Sequence, residues 1–170
     1  MVYGVSWLYT VRQLSEAIYL AEMTTSGTVV SQDTKTKVVT AIDTAWAYFA
    51  GDQGTNTAEI LSRKRGVEFG VCGKVSSAIL SKFKELQVEA QALSAGGSKI
   101  RSLAQDAVPL MTIPLVQGCI RYANVASGIV NKGSTGNSDD DDTELGELWS
   151  FCAQILPLVH YPPFPCKLSL

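Results

Sequence analysis

The chain is organised around the stretch from Asp43 to Gly70, which reads DTAWAYFAGDQGTNTAEILSRKRGVEFG. Its opening continues an apolar stripe at helical spacing, which predicts the end of an amphipathic helix. Gly51 and the polar residues after it predict a loop. Ordered structure is expected again at a basic cluster, residues 63–65, which an aromatic residue and a glycine follow at 69 and 70. The stripe comprises Val39, Ile42, Ala45, Trp46 and Phe49. A carboxylate, a tryptophan, a loop and three cations so close together indicate a constructed site or a constructed corner.

A second, fainter copy of this helix lies near the C-terminus. When Trp46 is aligned with Trp149, the segment 44–50 (TAWAYFA) stands against 147–153 (ELWSFCA). Two amphipathic helices that each need one large aromatic residue in the core would give the same pattern. The residues by themselves favour this simpler interpretation. We expect both tryptophans to be buried, on helices that neighbour each other.

Length and charge bound the class of protein. A chain of 170 residues can bury a core without disulfides and predicts one domain over 1–170. A formal net charge of −2 argues against a nucleic-acid partner. The most apolar windows, 107–120 and 148–166, are too short or are broken by prolines, which predicts no transmembrane segment. The N-terminus shows no signal peptide, so an intracellular protein, a mature form and a fragment all stay open.

The cysteines and the catalytic motifs exclude further classes. The four cysteines (72, 119, 152 and 166) lack paired CxxC spacing, which disfavours a zinc site. Buried free thiols are the default expectation, and disulfides are the alternative in a secreted protein. The chain has a single histidine and neither a phosphate-binding glycine loop nor a nucleophile elbow. It is therefore predicted not to be an enzyme.

Apolar stripes predict an all-α bundle of about five helices and no strand. The principal helices are expected over 6–23, 34–50, 75–93, from 98 onward and over 143–158, with a short extra turn over 59–65. Ser31 or Asp33 should cap the second helix. The fourth helix is the most apolar and should be central, with Pro109 and Pro114 kinking or dividing it.

Two polar or irregular segments complete the chain. Residues 131–142 predict a mobile surface loop, and its aspartates suit the start of the fifth helix, where the helix dipole is positive. A calcium loop is disfavoured because the spacing of an EF-hand is missing. Residues 161–170 form a proline-rich tail that cannot continue a helix.

Carboxylates on otherwise apolar helices are the remaining chemical signal. Asp43 precedes Trp46, Asp106 interrupts the apolar fourth helix, and Glu147 precedes Trp149. An ionised carboxylate in an apolar setting is costly unless it meets a cation or good donors. Arginine pairs that hold helices together and a hard metal ion are the two alternatives, and the residues by themselves favour the arginine pairs.

Taken in order, four motifs resemble those of a known family: AIDTAWAYFAG (41–51), SRKRGVEFG (62–70), IPLVQGCIRYA (113–123) and ELGELWSFCAQILPLV (144–159). The series is similar to the algal iron-assimilation proteins, the low-iron-inducible and high-carbon-dioxide-inducible periplasmic family. Those proteins carry a D-E-A-W-A-F-Y helix, a K-R-G-x-x-F-G corner, an L-I-Q-G-x-x-R-Y-A helix and an A-E-G-W-A-F helix. The resemblance covers most of the chain.

The resemblance implies a secreted or periplasmic helical protein that aids iron uptake at the cell surface, with the two tryptophan helices as related elements of one module. Hard cations prefer oxygen ligands. Iron is therefore the expected ligand, and an uptake system at the cell surface is the expected partner. The metal ligands would be Asp43 and Glu147, with Asp106 or Glu68 in addition. Thr44 stands where the family carries a glutamate, which implies weakened iron chemistry. The alternative is a structural or assembly subunit that docks on a larger complex.

Overall fold

The computed structural model describes the backbone of residues 2–24, 29–51, 57–94, 96–132 and 138–160. Within these ranges the chain is all-α without any strand, so the predicted fold class is confirmed. The helices there are α1 (Val2–Glu22), α2 (Gln32–Ala50), α3 (Ala58–Glu68), α4 (Lys74–Gln91), α5 (Ser98–Lys132) and α6 (Ser138–His160). The sixth helix is α3, which replaces the short extra turn expected over 59–65.

Local signals place most of the helix starts correctly. Ser31 is the N-cap of α2, and its Oγ accepts a hydrogen bond of 3.1 Å from the backbone N–H of Thr34. Helix α6 begins at Ser138 instead of Thr143, because a run of aspartates is stabilised at the positive end of a helix dipole. The loop predicted over 131–142 is thus helical at both ends. Residues 133–137 and the predicted tail at 161–170 lie outside the described residues.

Helix α5 is continuous through both of its prolines. Pro109 and Pro114 each remove one backbone donor, which favours a bend. Neither proline divides the helix, so the expectation of a division is wrong. By length and composition, the stretch Ser98–Gly128 could cross a membrane, and half of its most apolar window is buried within the protein. The core helices of water-soluble proteins meet the same criterion.

Contacts between residues group the chain into two compact units. The first, called here the N-terminal unit, comprises Val2–Met111. The second, the C-terminal unit, begins at Thr112 and contains the second part of α5 together with α6. The expectation of one domain over 1–170 stays a prediction.

The N-terminal unit is held by the packing of α1 along α2 and of α2 against α4. The apolar face predicted for α1 is buried throughout: Trp7, Val11, Leu14, Ile18 and Ala21. Phe49 of α2, which is 1% exposed, lies at the centre of this core. Trp46 is half-buried, and its ring centroid lies 5.8 Å from that of Phe49 and 5.2 Å from that of Phe83. Removal of this apolar surface from water is the main stabilising term for the unit.

The turn between α4 and α5 requires glycine because it lies directly against the end of α1. Gly97 has a φ of 53°, and a Cβ atom there would lie 2.8 Å from the backbone and the side chain of Ala21. The backbone N–H of Gly96 donates a 2.9 Å hydrogen bond to Oγ1 of Thr24, just after α1. Helix α4 already ends at Gln91, with Ala92 as its C-cap, so the Gly96–Gly97 pair does not end it but permits the close approach of α1.

The C-terminal unit is fastened by a disulfide between Cys119 of α5 and Cys152 of α6. Beside it, the rings of Tyr122 and Phe151 stack with their centroids 5.4 Å apart. Gly118 faces the same Phe151 ring so closely that a Cβ atom would lie 2.5 Å from it. The expectation of buried free thiols is therefore wrong for this cysteine pair, because the two helices bring the residues together. Cys72 is free but exposed, and Cys166 lies outside the described residues.

Candidate functional site

The basic cluster at 63–65 is part of a folded corner. Arg65 is 6% exposed, and its Nη1 lies 2.6 Å from Oε2 of Glu68. Arg63 is exposed and pairs with Glu59 at 3.3 Å, whereas Lys64 points to solvent. A guanidinium group leaves water only at a large cost unless a carboxylate accompanies it. Glu68, predicted as a metal ligand, is therefore a partner of the buried Arg65.

The glycine of this corner is needed because the chain turns back on itself. A Cβ atom on Gly66 would lie 2.8 Å from the carbonyl oxygen of Cys72. The carbonyl of Gly66 accepts hydrogen bonds from the N–H groups of Val71 and Cys72, at 2.8 and 2.7 Å. Cys72 has a φ of 39°, in the left-handed region, and so does Gly70 at 69°. The motif RKRGVEFG (63–70) thus forms the end of α3 and the start of the turn that connects α3 to α4.

An open cleft of about 520 Å³ lies between α2, α3 and α4, and its α2 and α3 walls belong to the stretch 43–70. Its walls combine apolar side chains with hydroxyl groups and one ion pair: Trp46, Ala50, Gly51, Thr57, Glu59, Ile60, Arg63, Gly73, Ser76, Ser77 and Leu80. Oγ1 of Thr57 accepts a hydrogen bond from the N–H of Ile60, and Oγ of Ser76 donates one of 3.0 Å to Oγ of Ser62. The described residues that form the cleft belong to the N-terminal unit.

Asp43 is exposed on α2, one turn before Trp46. Its Oδ1 accepts a 2.9 Å hydrogen bond from the side-chain amide of Gln87 on α4. A neutral amide leaves the charge of the carboxylate in place. The neighbouring Thr44 donates its hydroxyl to the carbonyl of Thr40 at 2.7 Å, which is a contact within the same helix. Of the two neighbouring positions 43 and 44, where the resembled family carries two acidic residues, this chain presents one carboxylate, at Asp43.

Asp106 lies on the exposed side of α5 and not in its apolar interior, which corrects the expectation of a buried carboxylate. Its Oδ2 lies 3.1 Å from Nζ of Lys82 on α4. The hydrogen bond to Asp106, with a further contribution from Glu85, raises the pKa of Lys82 above its ordinary value. Asp106 and Glu68 are thus both neutralised by cations, as in the arginine-pair alternative.

Glu147 is exposed on α6, in the C-terminal unit. Nearby, Nη1 of Arg121 lies 4.0 Å from Oε2 of Glu144, and the Arg121 guanidinium lies over the ring of Tyr122. Among the side chains that the structure describes, in residues 3–24, 29–51, 57–94, 96–128 and 142–156, no group of three or more His, Cys, Asp or Glu is arranged to hold a metal ion. Among the residues proposed to bind metal, Asp43 and Glu147 are the two for which the described part of the chain supplies no ion pair.

The C-terminal unit carries an apolar surface that the sequence did not predict. Trp149 is 73% exposed, so the expectation that both tryptophans are buried is wrong for this one. Leu145 and Leu156 lie on the same side of α6 as Trp149, because spacings of four and seven residues return to the same helix face. We call the outer face the exposed apolar side chains Val116 and Ile120 of α5 with Leu145, Trp149 and Leu156 of α6. The helical spacing was a usable signal, but such a stripe is normally interpreted as core.

Comparison of the chain with protein-family models, with curated proteins and with solved structures gave no match. The resemblance to the iron-assimilation proteins therefore stays a prediction based on the four motifs.

Proposed function

We propose that the protein is a non-enzymatic helical module that docks on a larger complex, and that the outer face is its docking surface. The observation that carries this proposal is the exposure of Trp149, 73%, on the same side of α6 as the exposed Leu145 and Leu156. Scattered exposed apolar residues are normal, but a contiguous set marks an interaction site. Tryptophan is also the residue type most enriched among those that dominate binding energies.

The architecture beneath the outer face supports docking without rearrangement. Cys119 and Cys152 link the two helices that present the face, and the stack of Tyr122 on Phe151 lies beside that link. A surface held in its binding conformation loses less conformational entropy when a partner binds. The face is therefore suited to act as a preformed platform.

The charge of α6 specifies the chemistry of the partner. The helix contains six acidic residues, four of them consecutive at 139–142, and neither lysine nor arginine. Complementary charges steer association and suppress wrong partners. We infer a partner protein with an apolar patch rimmed by lysine or arginine. A second copy of this chain is disfavoured as occupant because it would bring two acidic helices to one interface.

A cationic amphipathic peptide built from leucine and lysine tests the proposal directly. Titration of the full chain with this peptide should give saturable binding that weakens as salt is added, because the attraction is partly electrostatic. Trp149→Ala should reduce the affinity about tenfold or more, as expected for a central aromatic contact. Isothermal titration calorimetry measures both effects.

Tyr19→Ala provides the matched control, since Tyr19 is an exposed aromatic residue of α1 in the N-terminal unit. It should leave the affinity for the peptide unchanged. Equal binding by Trp149→Ala and the parent protein would contradict the proposal. Light scattering of the free protein tests whether a second copy of this chain occupies the outer face. A dimer that Trp149→Ala abolishes would assign the face to self-association and contradict the proposal.

Iron binding through carboxylates at the cell surface is the second candidate, and the state of Asp43 and Glu147 favours it. Both side chains are exposed, and the partner of Asp43 is a neutral amide, so its charge is available to a hard cation. The ordered motifs supply the link to iron. Asp43 belongs to the N-terminal unit and Glu147 to the C-terminal unit, so each carboxylate would need further oxygen ligands of its own, from solvent or from neighbouring groups.

Titration of the protein with ferric and ferrous iron tests this second candidate. Asp43→Asn and Glu147→Gln should each weaken binding while leaving the helix content unchanged, and Thr44→Glu should strengthen it by adding a carboxylate. Asp106→Asn is the control, because that carboxylate is already paired with Lys82. If neither the parent protein nor Thr44→Glu binds iron, the iron hypothesis fails for this chain and the docking proposal is unaffected.

A further inference from the structure

We infer that the cleft between α2, α3 and α4 binds an uncharged ligand rich in hydroxyl groups, such as a monosaccharide. The cleft volume of about 520 Å³ lies within the range of small-molecule sites, about 300–1,000 Å³. The described residues that line it all belong to the N-terminal unit. The inference is independent of the docking surface on α6.

The electrostatics of the cleft select against charged ligands. The ionic groups among the described residues that line it are Glu59 and Arg63, which lie 3.3 Å apart and neutralise each other. An anion drawn to Arg63 would meet the carboxylate of Glu59 at the same point, and a cation drawn to Glu59 would meet the guanidinium. Each would have to break the existing pair. A neutral ligand can contact both groups and leave the pair intact.

The same groups match the needs of a hydroxyl-rich ligand, because every hydroxyl both donates and accepts hydrogen bonds. Donors are supplied by the guanidinium of Arg63 and by the hydroxyls of Thr57 and Ser77, which line the cleft. Acceptors are supplied by the carboxylate of Glu59 and by Oγ of Ser76, whose proton is committed to Ser62. Hydrogen bonds to charged groups are stronger than neutral ones, so Glu59 and Arg63 should dominate the affinity.

Trp46 provides the apolar part of the site. It forms part of the cleft wall while its other contacts, with Phe49 and Phe83, fix the orientation of the indole. The face of an aromatic ring is electron-rich, and the C–H groups of a sugar ring carry partial positive charge, so the two attract each other. Ile60 and Leu80 extend this wall. One aromatic wall opposite a set of paired donors and acceptors is the arrangement that a sugar ring can fill.

Titration of the full chain with glucose, galactose and mannose, followed by proton–nitrogen NMR, tests the inference. At least one sugar should shift the indole N–H signal of Trp46 and the side-chain N–H signal of Arg63 in a saturable manner. Glu59→Gln keeps the shape of the side chain and removes its charge, so the affinity should fall about tenfold, the loss expected for a hydrogen bond to a charged group. Inorganic phosphate and acetate are the anionic probes and should not shift these signals at matched ionic strength.

A second groove of this unit supplies the control. It also contains an ion pair, between Lys99 and Glu89 at 2.6 Å, but no aromatic wall. Glu89→Gln should leave sugar binding unchanged. If Glu59→Gln fails to fold, as judged by circular dichroism, Ser77→Ala replaces it with the same expected direction. Absence of a shift with all three sugars, a response to phosphate or acetate in their place, or an equal loss in Glu89→Gln would each overturn the inference.

Discussion

The two tryptophan segments, 44–50 on α2 and 147–153 on α6, have similar sequences and different environments. Trp46 is half-buried against two phenylalanine rings, whereas Trp149 is 73% exposed. Three residues further on, Phe49 is fully buried, and the aligned Cys152 instead forms the disulfide to α5. Similar residues thus build a packed core in one unit and an exposed apolar surface in the other.

The buried face of α6 is displaced by one residue relative to the buried face of the aligned segment of α2. Tyr48 is exposed on α2, but the aligned Phe151 is the residue that α6 buries. One residue of an α-helix corresponds to a rotation of about 100°. A rotation of this size moves the position of the tryptophan from the flank of the buried face to the outside. The helical period therefore survives in both segments, while the face that is buried depends on the neighbouring helix.

Phe49→Ala should have the largest effect on the N-terminal unit. Because Phe49 is 1% exposed, truncation should lower the free energy of unfolding by about 3–5 kcal/mol. Tyr48→Ala, one residue earlier, should cost only about 1 kcal/mol, since that ring is partly exposed and stacks on Tyr9. Urea unfolding followed by circular dichroism measures both values. Equal losses would mean that the inner face of α2 is assigned to the wrong residues.

Cys152→Ala tests the aligned position in the other unit. The disulfide closes a segment with a sequence separation of 33. Loss of this constraint on the unfolded chain should lower the free energy of unfolding by about 3–4 kcal/mol. Cys72→Ala is the control and should change little, because Cys72 is free and exposed. A reducing agent should remove the difference between the parent protein and Cys152→Ala, and a difference that persists would point to packing.

The two tryptophans themselves should differ in stability effect. Trp46→Ala should lower the free energy of unfolding by about 2 kcal/mol, below the range for a fully buried aromatic residue. Trp149→Ala should stay within about 0.5 kcal/mol, as for most surface substitutions. Thermal unfolding of both variants gives the comparison. A large loss with Trp149→Ala would show that this residue packs inside the protein, and the docking proposal would fail with it.

The smallest expected effect concerns pH. Hydrogen bonds from Arg101 to Glu22 hold the pKa of Glu22 below its ordinary value. A depressed carboxyl pKa contributes stability above the unfolded pKa, about 4.3, and this stability is lost as the pH falls through the folded pKa. The stability difference between the parent protein and Glu22→Gln should therefore be present at neutral pH and disappear in acid. Salt should reduce it, because the pair is largely exposed.

Acid unfolding curves of the two proteins, at low and high salt, measure this dependence. Glu85→Gln is the control. Glu85 is an exposed carboxylate that shares its partner, Lys82, with Asp106. Its acid profile should follow that of the parent protein closely. If the stability difference between Glu22→Gln and the parent protein were the same at every pH, the pair of Glu22 with Arg101 would contribute no pH-dependent stability.

Part of the candidate site could be predicted from the sequence. The stretch 43–70 is interpreted as a corner or a site, and it contains the folded turn at Gly66 and the α2 and α3 walls of the cleft. The carboxylates were identified as the groups that need partners, and two of them have cations. Which cation each one meets was not predictable. Lys82 and Asp106 lie 24 residues apart in the chain, and only the packing of α4 on α5 brings them together.

By itself, the sequence determined five principal helices, the inner face of α1 and a cap of α2 at Ser31 or Asp33, of which Ser31 is the cap. These features depend on the helical period and on hydrogen bonds within a few residues, so a local pattern is sufficient to specify them. The tertiary structure decided the pairing of Cys119 with Cys152 and the outward orientation of Trp149. Both depend on which side of a helix meets another helix distant in sequence. A single amphipathic stripe does not contain that information, because a helix buries the face that its neighbour covers.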